Sequence, residues 1–300
     1  MSILLFWLGS SLLFFQCRNP LTTDKDRSLS MEHSSISSSD TILVMQTGNV
    51  PVIDGINNEK NWEKAPWYPL NQVWIPYGEK VDSTVFYGRY KMLWSEETNL
   101  LYFLAEITDN VFVGGHEYHP DPSMGNGYAD YDILEIFIDE NNEGDRHVFD
   151  AEGDDIEQWG ENAESAFAYH ITVDTPEDGE TLFDKNALDI AGVSWSDYFI
   201  ANYKNHIPEF AINRNGDLYT WELSLKVYHD SYDHQNPEKS RVVLETGKIM
   251  GVSLAYCNND DADEYPPFRD HFFGSVEVPR ENYNDHWMDS SLFGTIMLVK

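Results

Sequence analysis

The feature that most constrains the fold is a series of short segments rich in β-branched and aromatic residues, separated by turn-forming residues such as Glu97-Thr98-Asn99. Repeated short strands without intervening amphipathic helices are typical of an antiparallel sandwich of two sheets. The segments are Val85 to Trp94, Leu100 to Thr108, Ile133 to Asp139, Ala166 to Val173, Phe210 to Asn213, Leu218 to Leu225, Ile249 to Cys257 and Leu292 to Val299. The sequence therefore predicts an all-β fold, an antiparallel two-sheet β-sandwich with little helix. The long acidic connections Glu106 to Asp132 and Asp174 to Trp195 are expected to be loops that carry function.

One segment, Asp132-Ile-Leu-Glu-Ile-Phe-Ile-Asp139, carries a carboxylate in the middle of an apolar strand. Side chains alternate along a strand, so positions 134, 136 and 138 should face the core, while Glu135 faces the opposite way with Ile133 and Phe137. A carboxylate on such a half-apolar surface is costly unless it has partners there. Two explanations remain open: contact with a ligand, or a structural carboxylate that is paired with a basic side chain or buried by a loop.

The charge of the chain limits its partners. The sequence has 52 Asp and Glu residues against 19 Lys and Arg, a formal net charge of −33. Such an excess repels phosphate backbones and anionic lipid surfaces, so nucleic acid is not expected as a partner. Neutral polar ligands, cations and basic proteins remain open, and the carboxylates are compatible with bound calcium. We expect a monomer.

The N-terminal region is typical of an exported protein. Residues 1–17 contain an apolar run from Ile3 to Phe15 that is too short to span a membrane and suits a secretory signal. Cys17 directly follows the run, at the position of a lipidation site in bacterial lipoproteins. Residues 18–48 are polar and serine-rich, which predicts a flexible tether ahead of a folded domain at 49–300. We therefore expect a lipoprotein of the cell surface or outer membrane, or alternatively a periplasmic or extracellular protein.

A set of landmarks follows in a characteristic order after Gly48. They are Ile53-Asp54-Gly55 with Trp62 and Ala65, Met92-Leu93-Trp94 before Asn99 to Phe103, Asp132 to Asp139, Ala166 to His170, Tyr219 to Glu222, and Asn284-Asp-His-Trp287 ahead of Leu292 to Gly294. In order and spacing they resemble a family 9 carbohydrate-binding module, a β-sandwich of the DOMON-like group with an immunoglobulin-like architecture. They also resemble the sugar-binding lipoproteins of this type.

This resemblance implies a non-catalytic module that holds the terminal sugar of a plant-type polysaccharide or oligosaccharide between two aromatic rings. Such a module supports extracellular glycan breakdown, and structural calcium lies nearby. Carried over by position, Glu135 would bind sugar hydroxyls, Trp287 would form one aromatic wall and Asn284 would be a further hydroxyl partner.

Two positions of the family pattern have no direct counterpart. The tryptophan of the second wall falls at Ala129, so a tyrosine of the same loop, Tyr128 or Tyr131, is the expected substitute. The family's arginine on the following strand has no clear match, and His170 or Tyr169 takes its place in the expected site.

The physical chemistry of sugars supports the same residue types independently. A pyranose ring presents an apolar C–H face and several hydroxyls, so its site needs exposed aromatic rings and a few planar donors and acceptors. Trp287 lies among polar residues, outside any apolar period, and is a candidate for ligand contact. Trp62, Trp94 and Trp221 lie within or beside apolar segments and are expected to pack in the core.

The expected cofactor is calcium. The turn Asp139-x-Asn141-x-Glu143-Gly144, followed by Asp150, has the oxygen-ligand spacing of a calcium loop, although a strand precedes it where an EF-hand has a helix. A solvated hairpin turn explains the same pattern. Asn258 to Asp263 is a second candidate.

Two other function classes remain open. DOMON-like sandwiches include haem-binding, electron-transfer relatives with Met, His or Lys axial ligands. A glycoside hydrolase would need two carboxylates roughly 5 to 10 Å apart. The sequence contains no Gly-x-Ser-x-Gly, phosphate-binding loop or His-Glu-x-x-His pattern. We therefore expect no enzymatic activity.

Overall fold

The computed structural model describes residues 40–80, 83, 86–114, 130–144, 166–171, 173, 188–191, 205–229, 232, 236–261, 268–286 and 289–300. Within these ranges the chain forms thirteen strands and four short 3-10 turns, and it contains no α-helix. The strands are β1 Ile42–Gln46, β2 Tyr68–Leu70, β3 Gln72–Ile75, β4 Phe86–Ser95, β5 Leu100–Asp109, β6 Ile133–Asp139, β7 Ala166–Ile171, β8 Leu188–Ala191, β9 Phe210–Asn215, β10 Leu218–Leu225, β11 Ile249–Asn258, β12 His271–Gly274 and β13 Gly294–Val299. The 3-10 turns are Trp62–Lys64, Pro237–Ser240, Arg280–Asn282 and Ser290–Leu292.

The predicted all-β class is confirmed, and each of the eight predicted segments contributes a strand. The strands that the sequence analysis missed are β1, β2, β3, β8 and β12, all of five residues or fewer. β8 lies inside the connection 174–195 that was expected to be a loop. Strands this short carry too few alternating residues to be recognised from a pattern.

Ten of the thirteen described strands form one hydrogen-bonded path in the order β8-β7-β6-β11-β13-β1-β4-β5-β10-β9, while β2 pairs with β4, β12 with β11, and β3 with β12. Most neighbours are antiparallel, as predicted. β1 departs from this because it pairs in parallel with both β13, where Ile42 lies opposite Ile296, and β4, where Met45 lies opposite Leu93. It thereby joins the two layers of the sandwich.

The predicted tether at 18–48 is therefore wrong at its C-terminal end, since residues 42–46 belong to the fold, while residues 18–39 lie outside the described part.

The main core lies between the layers. One layer contributes residues of β4, β5 and β10, and the other contributes residues of β6, β7, β11 and β13. Aromatic contacts cross between them: the rings of Trp221 and Tyr256 are 6.3 Å apart, and those of Phe86 and Tyr256 are 5.7 Å apart. On β6, Leu134, Ile136 and Ile138 face this core, as the alternation predicts.

The outer face of β6 is covered as well. A second apolar cluster contains Ile133 and Phe137 of β6 together with Trp74, Phe272 and Phe293 from the segments that pack over them. Every residue of β6 is consequently buried. Glu135 lies on the half-apolar face that the alternation predicts, and the segments around β3, β12 and the 3-10 turn before β13 cover that face.

A buried glutamate joins two of the sequence landmarks. Glu222 on β10 accepts hydrogen bonds from the backbone N–H groups of Asp54 and Gly55, at 3.1 and 3.0 Å, and from the Trp62 indole at 2.9 Å. Gly55 has a φ of +75°, and an added Cβ would lie 2.9 Å from the Asn213 backbone nitrogen. Only glycine fits this turn. Burial raises the pKa of Glu222 to about 7, and the three hydrogen bonds oppose that shift.

Buried carboxylates also meet where β5 ends and β6 begins. Asp132 is fully buried and accepts N–H bonds from Asn259, at 2.9 Å, and from Val113. Asp109 accepts the Val111 N–H at 3.1 Å. Burial raises the pKa of Asp109 to about 7 and that of Asp132 well above its usual value, and the two carboxyls repel each other when both are charged.

This arrangement predicts that Asp109→Asn removes a pH dependence of stability. The folded-state pKa of Asp109 lies above the unfolded value, so its stabilising contribution is complete below about pH 4 and is lost as the pH rises through about 7. Asparagine imitates the protonated acid at every pH. In urea unfolding, the wild type should lose roughly 2–3 kcal/mol more than the variant between pH 5 and pH 8.

The matched control is Glu97→Gln, at an exposed position of the turn between β4 and β5. It should follow the wild type at both pH values. If Asp109→Asn destabilises the protein as much at pH 8 as at pH 5, the Asp109 carboxyl is ionised and paired in the fold, and the account of the acidic pair is wrong.

Candidate functional site

Glu135 lies in the second cluster, opposite Ala255 of β11 and His170 of β7. It is 2% exposed. The sequence left two explanations open for Glu135, a ligand contact and a structural carboxylate. The structure favours the second, because the carboxylate is covered and has partners within the protein. A charge in this position requires such partners, because apolar side chains of the same cluster surround it.

Among the described residues, a thiol is the nearest partner that the carboxylate has. Cys257 Sγ lies 3.3 Å from Glu135 Oε1 and donates to it. Burial and the Glu135 charge raise the pKa of the Cys257 thiol well above its usual value, while Arg269 opposes the shift. The thiol is therefore protonated and acts as a donor. His170 Nε2 lies 3.6 Å from the same oxygen, an ion-pair distance that is too long for a good hydrogen bond.

Arg269 links this pair to a second predicted residue. Its Nη1 donates to Cys257 Sγ at 3.1 Å, and its Nη2 donates to Asn284 Oδ1 at 2.8 Å. The guanidinium also lies 4.5 Å from the ring centroid of Phe272. Glu135 and Asn284, predicted as sugar-binding residues from distant parts of the sequence, are thus joined through Cys257 and Arg269.

The segment that carries Asn284 is anchored by an aromatic stack. The His286 imidazole lies 3.9 Å from the Trp74 ring at an interplanar angle of 23°, and burial lowers the pKa of His286 to about 3. Trp74 in turn donates its indole N–H to the Val276 carbonyl at 3.0 Å. A Cβ at Gly274 would lie 2.0 Å from the Trp74 ring, so this position on β12 requires glycine. A neutral His286 therefore fixes the segment two residues after Asn284.

The aromatic walls are only partly described. Trp287 and Tyr128 lie outside the described residues, and Tyr131 is partly buried against the second cluster. Tyr169, one of the two substitutes for the family's arginine, is wrong for the site: it faces the main core, where its hydroxyl lies 3.0 Å from His206 Nδ1. Cys17 also lies outside the described residues.

Two exposed aromatic residues adjoin the polar chain in sequence. Phe268, next to Arg269, is 59% exposed, and Tyr283, next to Asn284, is 43% exposed. Sequence reasoning missed both, although each is an aromatic residue in a polar segment, the signal that singled out Trp287.

Comparison with known proteins identifies the family. The sequence profile described as "Carbohydrate family 9 binding domain-like" matches residues 53–300. The chain belongs to this family. Its fold is similar to that of a family 9 carbohydrate-binding module from Caldicellulosiruptor kristjanssonii solved in complex with glucose, with 18% identity, a TM-score of 0.52, and coverage of 85% of this chain and 95% of that one.

A putative carbohydrate-binding protein from Bacteroides uniformis shares 13% identity at a TM-score of 0.45, over 86% of this chain and 98% of that one. No curated protein matched the sequence. None of the helical turns in the described residues has the length or apolar character of a membrane-spanning helix.

Within this family 9 domain, the guanidinium near Glu135 comes from an unexpected place. The family pattern predicts it on the strand after β6, where His170 and Tyr169 were the expected substitutes, and His170 does lie near Glu135. The structure supplies Arg269 from the segment just before β12. Cys257 is buried with a free thiol, and its contact with Glu135 was not predicted from the sequence. The segment that carries Arg269 has no periodic pattern, so no sequence signal distinguishes this arginine from the other basic residues, of which the chain has 19 Lys and Arg in all.

The acidic turn after β6 is held by its own side chains. Asp139 Oδ1 accepts the N–H groups of Asn141 and Asn142 at 3.2 and 3.0 Å, and its Oδ2 accepts the Gly144 N–H at 3.0 Å. Asn141 Oδ1 accepts the Glu143 N–H at 3.1 Å. This local bonding accounts for the spacing of the four residues as a turn.

Calcium binding at this turn stays a prediction. Asp150, the last residue of the predicted ligand set, lies outside the described residues, as do residues 262 and 263 of the second candidate. Among the residues that the structure describes, no three His, Cys, Asp or Glu side chains are grouped to hold a metal ion. The oxygens of Asp139 are directed at backbone amides of the turn.

The turn predicts the effect of Asp139→Ala. The substitution leaves three amides without their acceptor, and we expect the free energy of unfolding to fall by about 2–3 kcal/mol. Urea unfolding in EDTA and in millimolar calcium separates the two roles. A purely local turn gives the same loss in both conditions, whereas a loss found only with calcium would show that Asp139 acts as a metal ligand.

Proposed function

We propose that this protein is a non-catalytic carbohydrate-binding domain that holds the terminal sugar of a plant-type polysaccharide or oligosaccharide. The observation that carries the proposal is the match of residues 53–300 to the carbohydrate family 9 binding domain-like profile. The similarity in fold to a family 9 module solved with glucose supports the same ligand class. The role we infer is support of extracellular glycan breakdown.

The chemistry of the candidate site supports a sugar ligand. A carboxylate and a carboxamide, Glu135 and Asn284, are linked through Cys257 and Arg269 beside the second apolar cluster. Planar acceptors and donors of this kind suit the hydroxyls of a pyranose. Trp287, three residues after Asn284 in sequence, is the proposed aromatic wall, and Tyr128 or Tyr131 is the proposed second wall, beside His170.

Glu135 is 2% exposed, so it forms the floor of the proposed site rather than an open surface. A sugar would reach it from the side of Asn284, which is only partly buried. The proposed location follows from the N-terminal sequence: export, then lipidation at Cys17, then a tether leading to β1. Calcium, if bound, is proposed as structural.

Calorimetric titration with glucose, cellobiose, xylobiose and longer oligosaccharides tests the proposal. Glu135→Gln should weaken binding of the best ligand about tenfold or more, because a hydrogen bond to a charged acceptor is replaced by a neutral one. Asn284→Ala and Trp287→Ala should weaken it as well. The matched control Glu97→Gln, on an exposed turn, should bind as the wild type does.

Two results would contradict the proposal. The first is a folded wild type that binds no sugar of the panel. The second is a Glu135→Gln variant that is folded and binds like the control. Release of reducing sugar that is lost in Glu135→Gln would indicate a glycosidase, and a Soret band in the purified protein would indicate a haem domain.

A further inference from the structure

We propose that Arg269 is a positioning residue of the sugar site, which fixes the side chain of Asn284 directly and that of Glu135 through the Cys257 thiol. The inference rests on the proposed function and adds to it the residue that sets the geometry of the two polar groups. Arg269 acts through other side chains rather than on the sugar.

The burial and bonding of Arg269 support this role. The residue is 7% exposed, and both terminal nitrogens have partners, Cys257 Sγ at 3.1 Å and Asn284 Oδ1 at 2.8 Å. The guanidinium lies 4.5 Å from the Phe272 ring centroid. Because the guanidinium is planar and its N–H directions are fixed, two bonds from one plane set the relative position of the two acceptors.

The bond from Arg269 decides which way the Asn284 amide points. A carboxamide has an acceptor end and a donor end, and either can face a ligand unless a partner selects one. Arg269 offers only donors, so it binds Oδ1 and turns the Nδ2 group away from itself. Asn284 is therefore set to donate to a hydroxyl oxygen.

The other terminal nitrogen of Arg269, Nη1, orients Glu135 through the Cys257 thiol. Nη1 donates to the sulfur of Cys257, and the thiol donates to Glu135 Oε1 at 3.3 Å. The thiol keeps its proton because burial and the Glu135 charge raise its pKa well above the usual value. The guanidinium donates to the thiol, and the thiol donates to the carboxylate. These two hydrogen bonds fix the orientation of the Glu135 carboxylate, which the surrounding apolar side chains could not do.

The charged and titratable side chains near the Arg269 guanidinium come from several elements of the fold. Glu135 of β6 and Asp130, just before that strand, both act on the Arg269 charge, and His170 of β7 lies 3.6 Å from Glu135 Oε1. The positive charge of Arg269 thus offsets the cost of burying Glu135. A lysine at 269 would keep the charge, but its single ammonium would lack the flat fork that spans both acceptors.

The test is calorimetric titration of the purified protein with glucose and cellobiose in a set of variants. Arg269→Met and Asn284→Ala should each weaken binding about tenfold, and Arg269→Met/Asn284→Ala should bind like Arg269→Met alone, because the arginine acts through the asparagine and the thiol. Independent effects that multiply to about a hundredfold would overturn the inference, as would an Arg269→Met variant with wild-type affinity.

Cys257 provides a matched pair of variants. Serine keeps a hydroxyl that accepts from Arg269 and donates to Glu135, whereas alanine removes both bonds at nearly the same volume. Cys257→Ser should bind within about threefold of the wild type and Cys257→Ala about tenfold more weakly. Equal affinities in the two variants would show that the thiol serves only packing and would contradict the relay.

A measurement without sugar separates this inference from the proposed function. The side-chain NH2 resonances of Asn284, observed by ¹⁵N NMR in the ligand-free protein, report the bond from Arg269. Arg269→Lys, chosen because it keeps the buried charge and thus favours folding, should shift and broaden them, while Glu97→Gln should leave them unchanged. If the wild type binds no sugar but these shifts occur, the proposed function fails and the positioning role stands. Unchanged resonances in Arg269→Lys would overturn the positioning role.

Discussion

The burial of Glu135 is the constraint on which the site depends. β6 packs apolar side chains against both of its faces, so a carboxylate in its middle must find partners within the protein. Cys257 and Arg269 supply them, and Arg269 extends the contact to Asn284. The need to stabilise one charge in an apolar layer thereby brings together residues that lie about 150 positions apart in the sequence.

The same principle organises the other layer. Glu222 on β10 is buried and holds the turn at Asp54 and Gly55 and the indole of Trp62 by three hydrogen bonds. Two sequence landmarks of the family that lie far apart in the chain, the segment from Asp54 to Trp62 and the strand that carries Glu222, are therefore in direct contact. In each layer a buried glutamate ties an outer segment to the sheet. The remaining acidic residues give the surface its large negative charge and favour a neutral ligand over an anionic one.

Much of the fold could be predicted because it follows from local periodicity. The eight apolar segments became strands, and Leu134, Ile136 and Ile138 face the core as their alternation requires. β1 could not be predicted, since five residues after a polar stretch carry little signal, and its parallel pairing with β13 and β4 is a long-range contact. The sequence left open whether Glu135 is covered, because alternation shows which face a residue takes, not what packs upon that face.

The site was predictable in part. Resemblance to the family indicated Glu135 and Asn284, which the structure connects, whereas Arg269 lies on a segment with no periodic pattern. The central claim is that these residues form a sugar site, and a crystal structure of the protein with glucose or cellobiose tests it most directly. We predict sugar hydroxyls within hydrogen-bonding distance of the Glu135 carboxylate and the Asn284 amide. A sugar bound on another face of the sandwich, with these two side chains unchanged and covered, would contradict the account.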